Sequence, residues 1–171
     1  MSSPALFGIS VAISFVAWGA VAWQYIWPAL KERPSTEALK SILLLHGFRF
    51  VGLAFVVPGV VSADLPAAFA RPAAYGDLTT AILALLALAT LGTRTGTVLT
   101  WAFNTIGTAD LLFAFYQGNR TSLANTPGLL GAAYFIVIAL VPLLLITHGL
   151  AFRMLLRTKA VVLSPHKVRT A

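Results

Sequence analysis

SILLLHGFRFVGLAFVVPGVV, residues 41–61, is an apolar run carrying one full charge, Arg49, near its middle and His46 three residues before it. A run of about 20 such residues matches the thickness of a bilayer's hydrocarbon core and predicts a transmembrane helix. An arginine at that depth costs about 3 kcal/mol on insertion scales. Its presence therefore predicts other polar groups inside the same structure, and those groups are the handle on function.

Composition extends this reading to the whole chain. Of 171 residues, 58% are hydrophobic and only 10% charged, against about a quarter charged in soluble domains. The mean hydropathy is +0.87. The expectation is one all-α polytopic membrane bundle over residues 1–159, followed by a basic cytoplasmic tail, 160–171, near anionic lipid. The net charge of +7 does not point to nucleic acid. Lys31, Arg33, Lys40, Arg94, Arg153, Arg157, Lys159, Lys167 and Arg169 all fall on one predicted side, while Arg71 and Arg120 alone mark the other. That is the positive-inside pattern, and it predicts an N-out, C-in protein of a bacterial-type inner (plasma) membrane. Cysteine is absent, which excludes disulfides, thiolate nucleophiles and Cys-ligated metals, and no metal site is expected.

Five spans are expected, at about 5–30, 41–61, 78–91, 97–116 and 128–152. Trp23, Tyr25 and Trp27 form an aromatic belt closing the first, and Pro58 bends the far end of the second. The third is short, with Asp77 as its N-cap. The loop 62–77 reads as a short interfacial helix anchored by Leu65, Phe69 and Tyr75, and 117–128 as a solvated turn.

Depth follows from a rise of about 1.5 Å per helical residue. Arg49 lies nine residues beyond Lys40, and Asn104 ten beyond Arg94, which brings the two to one level near the midplane and allows a hydrogen bond between them. Asp110, about 9 Å further out, is a candidate counter-ion. A polar layer of Arg49, Asn104, Asp110 and Trp101 is expected. His46 and His148 reach a common depth on different helices, each followed by glycine. Facing imidazoles could ligate haem b or serve a quinone, with Arg49 holding a ligand carboxylate. No serine elbow, HExxH, paired-carboxylate motif or phosphate loop is present.

The segments Arg49-Phe-Val-Gly52-Leu-Ala-Phe55, Pro58-Gly59 and Ala74-Tyr75-Gly76-Asp77-Leu78, with the Ala/Leu run ending near Thr93-Arg94, resemble DoxX-type small helical membrane proteins over about residues 49–112. The resemblance implies a compact helical bundle, in some members associated with quinone-linked oxidoreductase complexes. The lysine such proteins often carry after the glycine is missing at Val60-Val61-Ser62, and Asp77 stands where a glutamate is often found.

Three roles follow from these residues. The favoured one is non-catalytic: an accessory subunit beside other membrane proteins, or a small-molecule-binding bundle embedded in lipid. The second is haem- or quinone-linked electron transfer through His46 and His148. The third is proton-coupled transport through Asp110 and Arg49.

Overall fold

A computed structural model describes residues 1–163, with side chains to residue 157. The described residues form an all-α bundle in which five helices are long and apolar enough to cross a membrane. They are α1 (Ser3–Lys31), α2 (Ser35–Val56), α3 (Ala67–Ala89), α4 (Arg94–Arg120) and α5, whose π turn Ile136–Leu140 leads into the α-helix Val141–Leu163. The last of these continues into the predicted tail, and residues 164–171 lie outside the described residues.

The largest departure from expectation is α3. It is not a short span opening at Asp77. It begins at Ala67, so most of the predicted interfacial loop is membrane-length helix, with Pro72 inside it. Leu65 and Phe69 are buried in the bundle, not laid on an interface, while Tyr75 alone of the three anchors stays exposed. Proline lacks an N–H and leaves the carbonyl four residues back without its helical donor. Here that carbonyl belongs to Ala68, and Gln117 of α4 donates its side-chain amide to it at 2.8 Å. An orphan carbonyl in an apolar bundle costs several kcal/mol, so this one bond lets a helix long and apolar enough to cross a membrane keep a proline inside it.

Small residues set the packing of α3. Ala70, Ala73, Ala74, Asp77, Thr80, Ala81, Ala84 and Ala87 are buried, each three or four residues from another of the set, forming one stripe. That stripe meets α4 closely, as small-residue interfaces in membranes do. The turn between them ends on Thr93, whose hydroxyl accepts from Gly96 N at 3.0 Å and caps α4.

The other helices depart from regular geometry at identifiable places. In α2 the α-helix stops at Gly47 and a nine-residue 3-10 helix, Phe48–Val56, carries Arg49. Pro58 does not bend the span but follows its end, with Gly59 at φ +82°. Before α5, the segment Pro127–Ala133 breaks at Gly131 (φ 51°, ψ −132°), where a Cβ would strike Val60 O. Ser62 N bonds Leu129 O at 3.0 Å and Ala132 N bonds Val60 O at 2.9 Å, tying this segment to the chain after α2. Trp18 of α1 donates its indole N–H to Ala139 O, in the π turn just ahead of Pro142. Of the predicted turn 117–128, residues 117–120 belong to α4 and Leu123 is buried. At the basic end, Arg153 lies over the Trp27 ring at 3.8 Å, joining α1 to α5.

Gln117→Leu should lower stability by about 1–3 kcal/mol, the cost of an unpaired buried carbonyl. Adding Pro72→Ala restores the helical donor and should recover most of that loss in detergent unfolding. An equal loss in both backgrounds would refute this account of α3.

Candidate functional site

Arg49, 1% exposed, is the hub of the interior. Four of its five N–H donors have named partners. Nε donates to Asp77 Oδ1 at 2.6 Å and Nη2 to Asp110 Oδ2 at 2.7 Å. Nη1 donates to Gly107 O at 3.3 Å and to His148 Nε2 at 3.1 Å. These partners come from α3, α4 and α5, so one guanidinium links four of the five helices.

The bond to His148 fixes a tautomer. A guanidinium only donates, so Nε2 accepts and the ring proton sits on Nδ1. Nδ1 then donates to Asn104 Oδ1 at 2.7 Å, and Asn104 Nδ2 returns a bond to His148 O at 3.3 Å. His148 is thereby held neutral. His46 obeys the same logic through Thr147, whose single hydroxyl proton goes back to the carbonyls of Leu143 and Leu144 at 2.9 and 3.0 Å. Its oxygen therefore accepts from His46 Nε2–H at 2.9 Å. His46 Nδ1 is left buried with no partner.

Three glycines make room for this cluster. A Cβ on Gly52 would stand within the Asp77 carboxylate, and one on Gly76 within that of Asp110. A Cβ on Gly107 would come 2.7 Å from His148 Cε1 and 2.6 Å from Thr80 Cγ2. Without side chains at these points, the helices approach closely enough for short aspartates to reach Arg49.

The predicted residues are thus partly brought together. Arg49 and Asp110 pair directly. Asn104 does not bond Arg49; it reaches the hub through His148, because the imidazole occupies the space between them. Asp77, expected as a helix cap, is instead buried inside α3 as the second counter-ion. Its signal was the Gly52 and Gly76 pattern around an acid in an alanine-rich helix. Trp101 sets its ring against Phe152 at 6.0 Å and is not among the hydrogen-bond partners of Arg49.

His46 and His148 face each other with ring centroids 4.3 Å apart, and Phe103 lies 5.0 Å from one and 5.2 Å from the other. Imidazoles that ligate one metal each stand about 2 Å from it, with a haem plane between them. Here the rings are in direct contact and both Nε2 atoms are engaged, so no macrocycle fits between them in this arrangement. Among the described residues, no group of three or more His, Asp or Glu side chains is placed to hold a metal ion.

On the far side of the two aspartates lies a cleft of about 290 Å³ between α1 and the rest of the bundle. Phe7, Gly8 and Val11 of α1, Phe55 of α2, Phe69 and Ala73 of α3, and Ala114 and Phe115 of α4 form its walls. Asp77 and Asp110 are its charged lining. Behind them, Arg49, His46, His148, Asn104 and Phe103 are at most 1% exposed, so the two aspartates are the part of the cluster that meets the cleft.

Gly52→Ala and Gly76→Ala should each push an aspartate off Arg49. The expected loss is about 3–5 kcal/mol, that of breaking a buried ion pair, read as lowered unfolding temperature and yield of the purified protein. Gly8→Ala, whose Cβ meets nothing within 4 Å, is the neutral control.

No curated protein and no solved structure matches the chain. A family model matches residues 6–156, which take in the whole polar cluster and all five spans but for their outermost residues. The chain belongs to that family, described as a domain of unknown function, DUF8737.

Proposed function

We propose that the protein is a small-molecule-binding integral membrane bundle, without catalytic chemistry of its own, that takes an amphiphilic ligand into the cleft between α1 and the other helices. The observation that carries this reading is the cleft itself: a largely apolar, phenylalanine-lined space ending on two aspartates that Arg49 holds in place. Ligand sites in helical bundles have this composition, an apolar wall with a few fixed polar groups. Helix α1 has no buried residue between Ser3 and Val21, so the cleft's outer wall is its least embedded element.

The same reading places the chain in a bacterial-type inner membrane, N-out and C-in, and keeps the DoxX-like resemblance as a likeness of overall plan. Electron transfer through His46 and His148 loses ground, because the two rings lie behind Arg49 and do not line the cleft. Transport would require the histidine layer to open toward the basic end, so binding is the simpler role.

Two experiments test this. Gly8 lines the cleft and a Cβ there meets nothing within 4 Å, so Gly8→Phe is the substitution expected to crowd the cleft and leave the polar cluster untouched. Mass spectrometry of organic extracts should show a small amphiphile with the purified wild-type protein and not with Gly8→Phe. Identical extracts, or bulk lipid alone in both, would overturn the reading. For orientation, the cysteine-free chain permits single-site labelling: in intact cells an impermeant maleimide should label Asp64→Cys and spare Glu32→Cys, and the reverse pattern would invert the assignment.

A further inference from the structure

The charge at the floor of the cleft does not balance. Arg49 contributes one positive charge against two carboxylates; His148 is neutral because its Nε2 accepts from Arg49, and His46 Nδ1 faces no acceptor that the second N–H of an imidazolium would need. With both aspartates ionised the cluster is left with one surplus negative charge, in surroundings where an unbalanced charge is expensive.

The two acids also keep acceptors free. Asp77 gives Oδ1 to Arg49, and Asp110 gives Oδ2. Their second oxygens take no hydrogen bond from the described residues. Each lies beside a glycine, Asp77 Oδ2 by Gly52 and Asp110 Oδ1 by Gly76, but neither is a sealed, partnerless atom of the kind His46 Nδ1 is, and both carboxylates line the cleft. Among the described residues, no Lys, Arg or His lines the cleft. Its other strongly polar side chain, Asn119, turns its amide back to Phe115 O at 3.0 Å. The phenylalanine rings of the wall offer electron-rich faces, which attract cations more than neutral groups. From Asp110 to Asn119 along α4 the cleft extends about 13 Å at the helical rise, the length of a small arylalkyl group.

We infer that the cleft binds a lipophilic monocation, an aryl- or alkylammonium whose N–H groups meet the free oxygens of Asp77 and Asp110 and whose hydrocarbon body fills the phenylalanine-lined part. This rests on the small-molecule-binding role and specifies its ligand class. An ammonium supplies both the missing charge and the missing donors. A neutral alcohol supplies a donor and leaves the charge unbalanced. A carboxylate adds a third negative charge and is excluded.

The test uses the full chain in nanodiscs, titrated calorimetrically with phenylbutylammonium, phenylbutanol and phenylbutanoate against empty nanodiscs. The ammonium should bind at least about tenfold more tightly than the alcohol, a difference of about 1.4 kcal/mol, and the carboxylate should not bind. Gly8→Phe should abolish ammonium binding, and Asp110→Asn should bring ammonium and alcohol level. Equal affinity of ammonium and alcohol in the wild-type protein would overturn the cation assignment and leave the binding role standing. No saturable binding of any of the three would overturn both. Should Asp110→Asn fail to fold, the wild-type affinity ratio and the Gly8→Phe control still decide.

Discussion

A guanidinium in an apolar span must find compensation inside the protein, because lipid offers none. Arg49 meets that requirement with a carboxylate from α3, a carboxylate and a carbonyl from α4 and an imidazole from α5. Because the partners arrive on three different helices, satisfying this one side chain registers α3, α4 and α5 against α2. A buried ion pair is weak evidence for net stability, since desolvation offsets much of the attraction. Its firmer consequence is geometric: helices sliding by a turn would leave Arg49 unpaired, and that arrangement is costly.

The compensation depends on how closely the helices approach. Aspartate is short, and it reaches Arg49 only because Gly52, Gly76 and Gly107 present no side chain where the carboxylates and His148 lie. The alanine stripe of α3 does the same along the rest of its length. Membrane helices lack a hydrophobic drive to associate, so close van der Waals packing through small residues supplies part of what burial gives a soluble bundle. Tight packing on this side contrasts with the loose seat of α1, and the cleft opens along that boundary.

Irregular backbone follows the same accounting. A proline within α3 frees a carbonyl, and Gln117 takes it up. A π turn before Pro142 presents Ala139 O, and Trp18 takes that up. In water such carbonyls would be solvated at little cost; within a bundle of this hydropathy each needs a donor from a neighbouring helix. Neither role is legible in the sequence, where Gln117 falls in a predicted outer turn, because the backbone defect each side chain repairs is not visible until the helix containing it is placed.

Much of the architecture was legible from residue types alone. Length, apolar runs and sparse charge establish five helices able to span a membrane, since those properties depend only on local composition. Depth arithmetic along single helices put His46 and His148 at one level and marked Asp110, about 9 Å further out than Arg49, as a candidate counter-ion, because rise per residue is a local quantity. Helix boundaries near Pro72 and the role of Asp77 were not legible: a proline reads as a break until its partner Gln117 is known, and an acid beside it then reads as a cap. Which groups touch is a matter of rotation and separation between helices. Sequence therefore determined that Arg49 must be compensated within a helical bundle. Tertiary structure decided that Asp77, Asp110 and His148 compensate it, that Asn104 does so only through His148, and that the two aspartates end in a cleft, because contacts between helices depend on the interhelical spacing that small residues allow.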